Sequence, residues 1–326
     1  MITVQKTLDN SSAHEVLTID TLKPGSWINV VNPTKEELET IAGISNVPID
    51  FITAAMDTEE SSRVDYEEYD EETGLGACVL VVVNMSRHPE NFDFDTLPLG
   101  IIITSDYIIT VCLEKVFDIL PGTVGGIHNY CTWKRTRFLL QILYKTATVY
   151  LRYINEMIRM SDRLEENLRR SMRNEELFKM IDLEKGMTYF IGALRSNRVM
   201  IDKLSRVFKN NQFPDILKMR DEDDDLLEDL KIENDQAYDM VRIQSEVMGG
   251  MMDAFASVIS NNLNIVMKFL ASVTIIIAVP TALASFWGMN VPVPFTEHLY
   301  GFWIVSGISV AIASVATWWL WKRKMM

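Results

Sequence analysis

KFLASVTIIIAVPTALASFWGMNVPVPFTE (Lys268–Glu297), continued by HLYGFWIVSGISVAIASVATWWLWKRK (298–324), is the stretch that decides the fold. Between Lys268 and Glu297 run 28 residues without a formal charge, and between Glu297 and Lys322 another 24. A hydrocarbon core ~30 Å thick takes about 20 helical residues, so each run is long enough to cross once. A buried helical hairpin in a soluble protein would have the same length. It would not need the aromatic belts found here: Phe286, Trp287, Phe295, Tyr300, Phe302 and Trp303 ring the joint, and Trp318, Trp319 and Trp321 precede the terminal bases. Two antiparallel spans are therefore expected, 267–287 and 300–321, joined by an outer loop at 288–299. Lys322, Arg323 and Lys324 in the tail (322–326), with Lys268 at the same level, place both termini in the cytoplasm and the chain in the cell membrane. Residues 1–25 lack an apolar core segment, so no signal peptide is expected.

Working outward, charge separates the chain into two parts. It has 326 residues, 31 Lys and Arg against 45 Asp and Glu, and a formal net charge of −14. Only four of the bases and one of the acids fall in 266–326, which leaves +3 there and −17 before it. Excess acid argues against nucleic acid as a partner. Cys78, Cys112 and Cys131 are scattered, and His14, His88, His128 and His298 show no metal-ligand spacing, so neither a disulfide framework nor a soft-metal site is expected. No phosphate loop or nucleophile constellation appears in 1–125, so neither an enzyme nor an organic cofactor is expected.

The soluble part reads as an α+β cytoplasmic domain over 1–125 and a helical stalk over 126–266. Ser26–Val31 is a strand, and Thr34 with Glu37 makes a capping box that opens a short helix to about Ala42. Pro48 opens another, to about Met56. Ala77–Val83 is a β-branched run suited to a strand buried on both faces, and Leu99–Thr104 with Tyr107–Leu113 forms a hairpin. Beyond Pro121-Gly122 and Gly125-Gly126 the period becomes helical. Leu139, Ile142, Val149, Tyr153, Met157, Met160 and Leu164 share one face, and a second helix runs from about Asn174 to Phe208, ended by Asn210-Asn211-Gln212-Phe213-Pro214. A third is expected from about Asp221 to Trp287. Pro280 alone interrupts its pattern, at a depth where membrane helices tolerate proline.

Stepping along that third helix by alternating threes and fours gives Asp253, Ser257, Ser260, Asn264, Met267, Ala271, Thr274, Ala278, Thr281, Ser285 and Gly288. Ten steps cover 35 residues, the 3.5 period of a left-handed supercoil seam, and every member but Met267 is small or polar. Close helix packing accounts for Ala271 and Ala278. It accounts poorly for Asp253 and Asn264, because polar groups at membrane depth are costly unless they line a wet path. A water-lined pore is the preferred reading, and two spans per chain then require a ring of identical subunits. Hydroxyls, amides and a carboxylate without Cys or His suit a hard cation such as Mg²⁺ that keeps part of its water shell. Met267 and Leu270 are expected to form a hydrophobic gate at the cytoplasmic entrance.

Two acidic clusters stand apart. Asp221–Asp229 holds seven acids in nine residues, and Asp57, Glu59, Glu60, Asp65, Glu67, Glu68, Asp70, Glu71 and Glu72 form another. Acids favour helix N-termini and charge runs are commonly solvated, which is one reading. The other is that the first cluster faces the second of a neighbouring subunit and divalent cations hold the interface together, so that ion loss loosens the ring.

Gly288-Met289-Asn290, directly after the first of two C-terminal spans, resembles the Gly-Met-Asn signature of the CorA magnesium-transporter family. Trp27-Ile28-Asn29, Pro33-Thr34 with Glu36-Glu37, and Leu97-Pro98-Leu99-Gly100 are similar to the family's N-terminal region, so the resemblance covers essentially the whole chain. It implies a funnel-shaped homopentamer that carries Mg²⁺, Co²⁺ or Ni²⁺. Gly288, Met289 and Asn290 would form the selectivity filter, with the Asn290 amides at the outer mouth. Asp253, Asn264, Met267, Leu270, Thr274, Ala278 and Thr281 would lie along the pore. Ala278 departs from the bulky apolar residue the family often has there. The family's interfacial sensor acid falls at Asp229, beside Asp225, with Glu67 or Glu68 as partners across the interface, and Glu297 would attract cations to the loop. Relatives of the same architecture move Zn²⁺, in some cases coupled to protons, but the loop here lacks their glycine-rich continuation. A membrane-tethered scaffold is the reading from another class.

Overall fold

The computed structural model describes residues 1–326 except 9–13, 70–75, 90–91, 124, 172, 211–215, 292–298 and 324–326. It divides into two compact units, Met1–Gly249 and Gly250–Met326. The first is built on a seven-stranded sheet of order β2-β1-β3-β7-β6-β5-β4. The strands are β1 (Ile2–Thr7), β2 (His14–Leu17), β3 (Ser26–Val31), β4 (Arg63–Glu67), β5 (Cys78–Ser86), β6 (Thr96–Thr104) and β7 (Tyr107–Cys112). All neighbours are antiparallel except β3 and β7, which run parallel from Ser26↔Tyr107 to Val31↔Cys112. The β-branched run at 78–83 is fully buried, as a strand covered on both faces must be. Strands β1, β2 and β4 add to those expected from the sequence; β4, Arg63-Val64-Asp65-Tyr66-Glu67, alternates polar with apolar residues, a period-two signal only five residues long.

Two short helices, α1 (Lys35–Ser45) and α2 (Ile49–Thr53), accompany the sheet. The capping box at the start of α1 is formed as expected: Glu37 N–H donates to Thr34 Oγ1 at 3.2 Å, and Thr34 N–H to Glu37 Oε2 at 2.9 Å. Leu38 and Ile41 join Ile28, Val30, Leu80 and Ile109 in one apolar core. Gly100 lets this layer approach, since a Cβ there would stand 3.0 Å from the Cβ of Ala55.

The long helices are α3 (Arg135–Ser171), α4 (Asn174–Lys209) and α5 (Asp221–Trp287), followed by α6 (Gly301–Lys322). The change to helical structure after residue 125 is a change of element type, and α3 and α4 lie in the same compact unit as the sheet. A buried polar joint shows how they dock. Strand β4 begins at Arg63, opposite Val82, and so stops short of Asn84. The backbone groups of Asn84 are satisfied by side chains instead. Its N–H donates to Ser62 Oγ at 3.1 Å and Asn197 Oδ1 at 3.0 Å, while its carbonyl accepts from Asn197 Nδ2 at 2.7 Å and Tyr150 Oη at 3.2 Å. Asn197 of α4 is 2 % exposed and Tyr150 of α3 fully buried, so both helices are fixed to the sheet by its unfinished ladder. Beside it, the Trp27 indole donates to Thr110 Oγ1 at 3.0 Å and packs edge-on against Phe138 of α3.

In the second unit, the end of α5 and all of α6 are long and apolar enough to cross a membrane. Ser272, Val273, Ile276, Val279, Leu283 and Trp287 of α5 lose accessibility, as do Val305, Ser309, Ala313, Ala316 and Leu320 of α6. Replacing Asn197 with Leu should leave the Asn84 carbonyl without one of its partners and remove an acceptor from its N–H. A loss of ~2–3 kcal/mol is expected, read as a lower unfolding midpoint of the purified chain.

Candidate functional site

Every residue of the small, polar seam on α5, from Asp253 to Gly288, is exposed. The covered positions Ser272, Ile276, Val279 and Leu283 fall roughly half a turn away at ~100° per residue. Within its own unit, α6 therefore occupies the opposite side of α5. The seam is a ridge free for some other surface, protein or water.

Three of the five ridge hydroxyls share one arrangement. Ser257 donates to the Asp253 carbonyl at 2.9 Å, Thr274 to Leu270 at 2.8 Å and Thr281 to Ile277 at 2.8 Å. The protons of these three are thus committed to the preceding helical turn, and what they project from the ridge is oxygen lone pairs. A hydrated cation presents water protons outward, so a row of acceptors is the complementary lining. Asp253 adds a carboxylate and Asn264 an amide that serves as donor or acceptor. Met267 and Leu270, 56 % and 57 % exposed, are the bulky apolar members of this region.

At the end of α5, Gly288 N–H donates to the Ala284 carbonyl at 2.9 Å and Met289 N–H to that of Phe286 at 3.4 Å. A Cβ on Gly288 would come within 3.3 Å of the Ala284 oxygen, so glycine serves close approach of the chain to the helix end. Met289 and Asn290 follow, both exposed. Glu297 lies outside the described residues, as do Asp70, Glu71 and Glu72.

The acidic clusters separate by burial. Asp223 is 2 % exposed and accepts from Arg220 N–H at 3.2 Å, while Arg137 of α3 lies 2.9 Å from Glu222 Oε2. These acids finish the start of α5. Asp225, Asp229, Glu67 and Glu68 are exposed, Glu67 being the last residue of edge strand β4. Among the described residues no three His, Cys, Asp or Glu side chains come together as a metal cage. Burial pushes the Cys78 and Cys112 thiols up to about 11, so both are protonated at neutral pH and unsuited to metal ligation.

The ridge extends towards the start of α5 beyond Asp253. Counted backwards by threes and fours, the same register runs through Gly250, Glu246, Ile243, Asp239, Gln236 and Ile232 to Asp229 and Asp225, all exposed. The signal was in the sequence, because the spacing is unbroken. The two isoleucines interrupt its polarity and hide it.

The family described as "CorA-like Mg²⁺ transporter protein" matches residues 24–324. The cobalt/magnesium transport protein CorA of Methanocaldococcus jannaschii is 27 % identical over 299 residues, covering 89 % of this chain and 87 % of that protein. The complete structure of the CorA magnesium transporter from the same organism superposes with a TM-score of 0.77 at 23 % identity, over 98 % of this chain and 96 % of that one. The full-length CmaX protein gives a TM-score of 0.69 at 14 % identity, over 99 % and 96 %.

A cysteine at Thr274, in a Cys131→Ser background, is expected to react with a charged methanethiosulfonate reagent, whereas one at Ile276 on the covered stripe should be protected. Equal protection of both positions would contradict the ridge as the wet face of α5.

Proposed function

The chain belongs to the CorA-like Mg²⁺ transporter protein family, whose members are divalent-cation transporters and not enzymes, and from that premise we propose that it conducts Mg²⁺ into the cytoplasm. The observation that carries this reading is the acceptor-lined ridge of α5 facing away from α6. Five copies arranged as a homopentamer would bring five such ridges around one axis. Asp253, Ser257, Ser260, Asn264, Thr274, Ala278 and Thr281 would then line a pore, with Met267 and Leu270 as its hydrophobic gate. Gly288, Met289 and Asn290 would stand at the outer mouth, where a ring of Asn290 amides holds the ion through its water shell. Glu297 in the outer loop would raise the local cation concentration.

Energy comes from the membrane. An inside-negative potential supplies ~2.3 kcal/mol per charge per 100 mV, and a divalent ion takes it twice. Closure is assigned to Mg²⁺ bound between subunits at Asp225 and Asp229 of one and Glu67 or Glu68 of the next. The exposure of all four acids fits a site completed by a second subunit. A Zn²⁺ carrier is the weaker reading, since residues 250–290 contain neither Cys nor His.

The test is ion uptake by proteoliposomes under a set potential. Asn290→Ala is expected to lower Mg²⁺ flux about tenfold, or ~1.4 kcal/mol at the mouth. Unchanged flux would reject the filter, and preference for Zn²⁺ over Mg²⁺ in competition would reject the ion. Asp229→Lys should keep uptake running at internal Mg²⁺ levels that shut the parent protein; undiminished inhibition would remove Asp229 from the sensor.

A further inference from the structure

The membrane-spanning unit carries a groove that the ion pathway does not use. A cavity of ≈ 490 Å³ lies between Pro280 of α5 and one side of α6. Its floor is made of small, half-buried side chains four residues apart, Ser309, Ala313 and Thr317, and its rim of exposed Val310, Trp318 and Trp321. Small residues at that spacing put one shallow channel along α6, and the tryptophans wall it at the end nearer the basic tail. From Ser309 to Trp321 the helix rises ~18 Å, close to the ~15 Å depth of one hydrocarbon leaflet. A channel of that length and character matches a single acyl chain.

Charge at the end of the groove narrows the occupant. Lys322 Nζ stands 5.2 Å from the centroid of the Trp318 ring, on the rim, and the Arg323 guanidinium 5.4 Å from that of Trp319 beside it. Neither base has a carboxylate partner among the described residues. From Ala254 to Met326 Glu297 is the one acid, and it precedes α6, at the opposite end of that helix from Lys322. A second copy of this unit would therefore bring bases and no acid to this level, and groove against groove would set Lys322 against Lys322. An anionic phospholipid brings both things that are missing, a hydrocarbon chain for the channel and a negative headgroup for the bases. Each lysine or arginine beside such a headgroup strengthens binding about fivefold.

We infer that the groove between α5 and α6 holds an acyl chain of an anionic phospholipid from the leaflet at the Lys322 end, with its headgroup on Lys322 and Arg323. The site lies wholly in the Gly250–Met326 unit and does not depend on which ion the chain carries.

The test uses the full chain reconstituted in phosphatidylcholine vesicles, with tryptophan fluorescence quenched by phosphatidylglycerol brominated on its acyl chains, or by phosphatidylcholine brominated in the same way. A saturable component with about tenfold preference for phosphatidylglycerol is expected. Ser314→Phe fills the groove from an exposed position whose hydroxyl bonds to Val310 of its own helix at 2.8 Å. It should abolish the saturable component while the oligomer keeps its mass in detergent. Lys322→Gln/Arg323→Gln should leave the groove open to either lipid and bring the preference close to parity. The inference is overturned if the parent shows no preference for phosphatidylglycerol, or if the double variant retains it. It is equally overturned if Ser314→Phe retains the preference, which would mean attraction at the membrane surface with no chain in the groove. A changed oligomer mass in Ser314→Phe would also overturn it, by making the groove a contact between copies.

Discussion

An oxygen or amide placed in hydrocarbon must find a partner, and the rest of this molecule is arranged around that requirement. The end of α5 carries hydroxyls, an amide and small side chains through a segment otherwise rich in isoleucine and phenylalanine. Its threonines satisfy their own protons on the preceding turn, which removes the donors from the problem and leaves acceptors pointing outward. Those acceptors are unsuited to acyl chains, and α6 covers the other side of the helix. Water or another protein surface is what remains for them.

The first unit solves the same difficulty in a dry interior. Strand β4 ends before Asn84, and a buried backbone amide and carbonyl would be left open. Asn197 supplies both a donor and an acceptor to that one residue, and Tyr150 adds a second donor. The unfinished edge of the sheet thus becomes the point at which α3 and α4 are held. A leucine in place of Asn197 would fill the volume and fail the chemistry.

The residues that carry the family likeness divide by role once the fold is seen. Trp27 and Gly100 are architectural: the indole is buried against Phe138, and the glycine admits the layer holding Ala55. Gly288 brings the chain close to the end of α5, and Met289 and Asn290 stand exposed beyond it. The acid-rich start of α5 divides similarly, with Asp223 and Glu222 tied to Arg137 or the backbone and Asp225 and Asp229 left in solvent.

The sequence by itself determined whatever depends on short-range periodicity. Both apolar helices, the limits of α5 at Asp221 and Trp287, the capping box at Thr34 and the buried strand at Cys78–Val83 were all legible, because each is written in neighbours three, four or two residues apart. Tertiary structure alone decided the strand order, the parallel pairing of β3 with β7, the placing of β2 and β4 at the two edges of the sheet, and the burial of Asp223 within an acidic run. Those outcomes rest on residues as distant as Asn84 and Asn197 meeting in space. The ridge stands between the two cases: its period was in the sequence, but its freedom from α6 was fixed only when the partner helix settled on the opposite side.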